Sequence, residues 1–150
     1  MATILITGAN RGLGLEFVWQ YAADGWEVLA ASRQPDKSAD LKQITVQHSK
    51  VVLHGLDVTG EKSVRDLTGK VNGKPIDVLL HCSGIYPRKG QNIGSIDYDG
   101  WREALETNLF GVMRVTEALL ENVAASHRKQ IAAISTSLSI LRGVQSGSVA

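Results

Sequence analysis

Five short runs of aliphatic and β-branched residues punctuate the chain, and between them apolar side chains return at every third or fourth position. The runs are Thr3–Thr7, Trp26–Ala31, Val51–His54 with its continuation through Leu56-Asp57-Val58, Ile76–His81 and Gln130–Ser135. Each is too short for a helix and is bounded by turn formers, which predicts a strand. Leu13, Phe17 and Tyr21 recur at helical spacing until Asp24-Gly25 ends the pattern. The stretch from Gln34 to Lys50 is polar, holds Pro35 and three lysines, and predicts a loop with one weak helix. Thr59 stands where an N-cap would open a helix from Glu61 to about Lys70, and Asn72-Gly73-Lys74-Pro75 closes it. After a loop from Ile85 to Ser95 comes the longest helical pattern, Tyr98 to about Ala125. It carries Trp101, Leu105, Leu109, Val112, Val115, Leu119 and Leu120 at spacings of three and four. Leu141 to Ala150, small and polar, predicts a loop.

Strands that are apolar throughout and alternate with helices predict an α/β fold, a doubly wound parallel sheet with helices on both faces in three layers. No linker or repeat divides residues 1–150, so a single domain is expected. Ligands of such sheets bind at the carboxyl ends of the strands, where the strand order reverses, and the residues just after each strand are therefore the candidates for chemistry.

Composition narrows the function. A hydrophobic content of 43% with 21% charged residues belongs to an ordinary globular domain. Sixteen basic and fifteen acidic residues give a net charge of +1, with no basic stripe for nucleic acid or anionic lipid. The single cysteine, Cys82, cannot form an internal disulfide, and no apolar stretch reaches the ~18 residues of a membrane helix. A cytoplasmic protein without nucleic-acid or membrane partners is expected, and no metal site is predicted.

After the first strand come Gly8, Gly12 and Gly14, in a G-x-x-x-G-x-G pattern. One glycine allows a sharp turn, the next lets backbone approach a phosphate, and the third lets helix pack on strand. The N–H groups that open the following helix then suit a pyrophosphate. After the second strand, Ser32 leads into Arg33, where a dinucleotide fold places the group that meets the adenosine ribose. An arginine offers a donor fork suited to a 2′-phosphate, and Arg11 in the glycine turn adds a second charge, which favours NADP(H) over NAD(H). After the third strand, Asp57 could accept from the adenine amino group while Val58 packs on the ring; a capping role for Asp57-Val58-Thr59 is the alternative.

These residues resemble the short-chain dehydrogenases/reductases. Thr7-Gly8-Ala9-Asn10-Arg11-Gly12-Leu13-Gly14 is similar to that family's T-G-x-x-x-G-x-G nucleotide motif, and Asp57-Val58 to its adenine-contacting pair. Asn108 resembles the family's helix asparagine, which helps to hold a proton-relay water. The catalytic hydroxyl of strand five falls on Thr136 by the family's count, with Ser137 and then Ser135 as alternatives. The motifs span residues 3 to 137, and the chain is most similar to the C-factor-like and carbonyl-reductase-like members that prefer NADPH. The resemblance implies a Rossmann-type fold, a carbonyl or alcohol substrate and a homo-oligomer, dimer or tetramer.

Two departures stand out. The family's N-N-A-G after strand four is His81-Cys82-Ser83-Gly84 here, which leaves Cys82, Ser83 and Gly84 beside the nicotinamide. His81 is expected as a hydrogen-bonded replacement for asparagine rather than an acid or base, and Cys82 as a small buried residue rather than a nucleophile. The family's Tyr-x-x-x-Lys pair is missing: the tyrosines are Tyr21, Tyr86 and Tyr98, and the last lysine is Lys129. By the family's spacing the pair falls at or just after Ala150, so the 150 residues are expected to be inactive alone and to leave one sheet edge open. A catalytically silent nucleotide sensor or signalling module is the alternative function.

Overall fold

A computed structural model describes residues 1–86 and 91–135. Among them, five strands form one parallel sheet: β1 (Thr3–Thr7), β2 (Glu27–Ser32), β3 (Val51–Gly55), β4 (Val78–His81) and β5 (Gln130–Ala133), in the order β3-β2-β1-β4-β5. The helices are α1 (Gly12–Ala23), α2 (Ala39–Gln47), α3 (Glu61–Lys70), α4 (Tyr98–Leu105) and α5 (Gly111–Ala124). A short 3₁₀ turn, Pro35–Lys37, precedes α2. The chain runs outward from β1 through β2 to β3, then crosses back to lay β4 on the other side of β1, with Ile4 opposite both Val28 and Val78. The strand order reverses at β1 and β4, so a crevice opens at their carboxyl ends.

Alternation along the strands feeds two cores. Leu5, Leu29 and Leu79 face Val64, Leu67, Val115 and Leu119, whereas Ile4, Ile6, Val28 and Leu80 face Val18 and Leu41. Both faces of the central strands are thus dry, which is why their sequences carry no polar alternation. Asp77 pins the far end of the sheet: its carboxylate accepts from the backbone N–H of Thr3 at 2.9 Å and of Arg128 at 3.3 Å.

The structure amends four expectations. The buried stripe of α1 is Gly14, Val18 and Ala22, with Phe17 and Tyr21 at its margin and Leu13 60% exposed. Small residues bring that helix close to the sheet, and the large ones flank the contact. Gly60, not Thr59, occupies the N-cap of α3; the Thr59 hydroxyl donates to Asp57 instead. The long helical run is interrupted by a π-helical turn at Glu106–Phe110 between α4 and α5. One extra residue rotates everything beyond it by roughly 100°. Val115 and Leu119 point inward, while Trp101, Leu105, Leu109 and Leu120 are half exposed. Finally, the sequence reads β5 as apolar as the other strands, but all four of its residues are exposed; among the described residues it pairs with β4 alone, in line with the open edge expected.

Candidate functional site

The crevice at the carboxyl ends of β1 and β4 is a cleft of about 990 Å³. Gly8 ends β1 with φ +66, and a Cβ on it would come 2.7 Å from the Ser83 nitrogen. Only glycine permits both that left-handed turn and that approach to the β4 loop. Gly14 lies against the carbonyl oxygen of Gly8, so α1 packs directly on the turn that precedes it. Gly12 faces open space. Ala9 closes the turn by donating to the Ala31 carbonyl at 3.1 Å. At Arg11, the N-cap of α1, no side chain caps the helix, so its first N–H groups are left for a ligand.

Thr7 is fully buried and does not line the cleft. Its hydroxyl oxygen accepts from the backbone N–H groups of Cys82 and Ser83, both at 3.2 Å, and so ties the ends of β1 and β4 together. Every other residue expected to hold the nucleotide lines the cleft: Gly8, Asn10, Arg11, Gly12, Leu13 and Gly14 on the first turn, Ser32 and Arg33 after β2, Asp57 and Val58 after β3, and Cys82, Ser83 and Gly84 after β4. Lys37 on the 3₁₀ turn joins them, a residue that the motif gave no reason to single out. Arg11, Arg33 and Lys37 have no carboxylate partner among the described residues, and the Ser32 hydroxyl, buried beside Arg33, has no hydrogen-bond partner. Uncompensated cations around a buried free hydroxyl form a site for an anion.

On the wall after β3, Asp57 Oδ1 accepts from the Thr59 N–H at 3.0 Å and from its hydroxyl at 2.8 Å. Asp57 thus serves the local turn as well as lining the cleft. Val58 is 6% exposed and lies against α5, with Gly111 beneath its methyl group.

The far end of the cleft is shaped by Asn108, in the π-helical turn. Its Oδ1 accepts from the Ile85 N–H at 2.9 Å and its Nδ2 donates to the Ile85 carbonyl at 2.8 Å. The side chain clamps the backbone that follows Gly84, leaving one N–H and one lone pair for water. His81 does not line the cleft. Its Nε2 lies 3.1 Å from the Thr116 hydroxyl, its Nδ1 is buried without a partner, and burial lowers its pKa to about 4. The imidazole is neutral at pH 7 and sealed into the sheet. Cys82 is half-buried, and burial raises its thiol pKa to about 11, so it offers no thiolate. Thr136 and Ser137 lie outside the described residues; Ser135, the last described, follows β5. No group of three or more His, Cys, Asp or Glu side chains could hold a metal among the described residues, and no helix among them is long and apolar enough to cross a membrane.

Comparison with known proteins agrees with this geometry. Residues 2–149 match the family model for short chain dehydrogenases. An uncharacterized oxidoreductase of Bacillus subtilis, YusZ, is 33% identical over 120 residues, covering 77% of this chain and 42% of that protein. Short-chain dehydrogenase/reductase 1 of Saponaria officinalis is 30% identical over 93% of this chain and 54% of its own. Among solved structures, a Burkholderia multivorans protein assigned to the short-chain dehydrogenases/reductases, with bound NADP, superposes with a TM-score of 0.86 at 26% identity. That superposition covers 97% of this chain and 63% of the other. The chain spans about half the length of the curated relatives it matches.

Proposed function

Because the chain belongs to the short-chain dehydrogenase/reductase family, we propose that it is the cofactor-holding portion of an NADP(H)-dependent oxidoreductase acting on a small carbonyl or alcohol. The observation that carries the cofactor preference is the group of unpaired cations, Arg11, Arg33 and Lys37, around the free Ser32 hydroxyl. The NADP bound to the Burkholderia multivorans relative supports the same choice.

The residues fit a dinucleotide. The glycine turn and the open N–H groups of α1 receive the pyrophosphate, Asp57 and Val58 face the adenine, and Ser32, Arg33 and Arg11 receive the 2′-phosphate. The bound cofactor supplies a hydride. Cys82, Ser83 and Gly84 border the nicotinamide end, and Asn108 keeps that loop in place through Ile85. A hydroxyl at Thr136 or Ser137 donates to the substrate oxygen, and the remaining valences of Asn108 hold a relay water. A proton donor of the Tyr-x-x-x-Lys kind is not contained in residues 1–150. The half-exposed apolar residues of α4 and α5 support assembly into a homo-oligomer.

The test is a pair of calorimetric titrations with NADPH and NADH, on the chain and on Arg33→Asp. A charge-assisted contact contributes about 1.5–3 kcal/mol before screening. NADPH should therefore bind roughly ten- to hundredfold more tightly, with Arg33→Asp erasing most of the gap. Equal affinities that the substitution leaves alone would refute the preference.

A further inference from the structure

We propose that Arg114 is a positioning residue that sets the cleft's specificity for an adenine edge, an inference that rests on the dinucleotide function above. Arg114 reaches from α5 to the loop after β3. Its Nη1 donates to the Val58 carbonyl at 2.9 Å and its Nη2 to Glu106 Oε1 at 2.7 Å. The peptide unit joining Val58 to Thr59 is held at its other end too, because the Thr59 N–H donates to Asp57 Oδ1 at 3.0 Å. One peptide group thus forms a strut between the guanidinium of Arg114 and the carboxylate of Asp57.

The strut determines what the cleft presents. Asp57 Oδ1 is occupied, while Oδ2 has no partner among the described residues. The Val58 N–H likewise has no acceptor among them. Both residues line the cleft, so an acceptor stands beside a donor on one wall. That order complements the 6-amino group and N1 of adenine; hypoxanthine, with a carbonyl and an N1–H, presents the reverse. The seat is pressed onto the helix, since a Cβ at Gly111 would come 2.7 Å from Val58 Cγ2. Glu106, in the π-helical turn, holds the second arm of the guanidinium and fixes the direction of the first.

Arg114 touches the wall from behind and does not line the cleft, so its removal should misalign the base edge and spare the rest of the nucleotide. NADPH and the reduced form of nicotinamide hypoxanthine dinucleotide phosphate, which differ only at that edge, are titrated into the chain and into Arg114→Met. The wild-type chain should prefer the adenine form by roughly tenfold, as expected for a hydrogen-bonded edge reversed in its partner. Arg114→Met should bring the ratio close to one while leaving binding of the hypoxanthine form nearly unchanged. An undiminished ratio in folded Arg114→Met, or an equal loss for both nucleotides, would overturn the proposal. If that variant does not fold, Arg114→Lys, which keeps the charge but lacks the fork that bridges the Val58 carbonyl and Glu106, is titrated in its place; a reduced ratio supports the proposal and an unchanged one overturns it. A wild-type chain that binds neither nucleotide refutes the dinucleotide function itself, and this inference with it.

Discussion

The His81 imidazole is kept neutral by burial, with its pKa lowered to about 4, and that fixes the sign of a stability effect. Unfolded, the ring titrates near 6.5, so between the two values the unfolded chain binds the extra proton. Stability from this residue is present above pH 6.5 and is lost as pH falls toward 4, by up to about 3 kcal/mol. His54 is also lowered, by burial first and then by Lys70 and Lys74, so some acid sensitivity remains without His81. Urea midpoints at pH 4.5 and pH 7.5 should therefore converge in His81→Asn relative to wild type. If the substituted chain shows an unaltered difference, the buried neutral imidazole is not the source. The same burial explains why His81 is no proton donor: its ring lies behind the strand and does not border the cleft.

At the scale of elements, glycines of the same type carry opposite constraints. Gly14 opens α1 against the carbonyl oxygen of Gly8, with no room for a Cβ. Gly69 lies in α3 with nothing within 4 Å of where its Cβ would stand. Gly14→Ala should push α1 off the turn, cost about 1–3 kcal/mol through overpacking and abolish nucleotide binding. Gly69→Ala should raise stability by about 0.5–1 kcal/mol through helix propensity alone and leave binding intact. Thermal melts with and without NADPH distinguish the two, and comparable melting temperatures for both variants would contradict the assigned contact. The Asn108 clamp on Ile85 likewise couples elements: a turn between two helices holds a loop residue 23 positions earlier in the chain, beyond the end of β4.

For the whole molecule, the proposed function leaves the proton donor to a Tyr-x-x-x-Lys pair, and residues 1–150 contain none. A general acid contributes about 10²–10⁴-fold, and misplacing the reacting groups by ~1 Å costs about another hundredfold. The 150-residue chain should not reduce simple ketones or aldehydes above background. Appending a segment with Tyr-x-x-x-Lys and a strand to cover β5 should restore NADPH oxidation. Turnover by the bare chain would contradict the assignment of the acid, and silence in both forms would favour the nucleotide-sensor function. The open edge of β5 and the exposed face of α4 and α5 are surfaces that such a segment or a second subunit would cover.

The sequence by itself determined the parallel α/β architecture, because short apolar runs without alternation, bounded by turn formers and alternating with helical patterns, suit strands of a sheet covered on both faces. It determined the nucleotide turn as well, because the spacing of Gly8, Gly12 and Gly14 reflects backbone geometry local to twelve residues. Tertiary structure decided what depends on neighbours distant in the chain. Thr7 belongs to the scaffold because its hydroxyl meets the β4 loop. Lys37 joins the anion site because its turn packs on β2 and β3 at the rim of the cleft. The apolar positions of the long helical run divide between core and surface because only one face of it, with Val115 and Leu119, meets the sheet, and the π-helical turn at Glu106–Phe110 interrupts a run the sequence pattern reads as one helix. Arg114 acquires its place from a carbonyl 56 residues away; long-range hydrogen bonds of that kind leave no local pattern from which to read them.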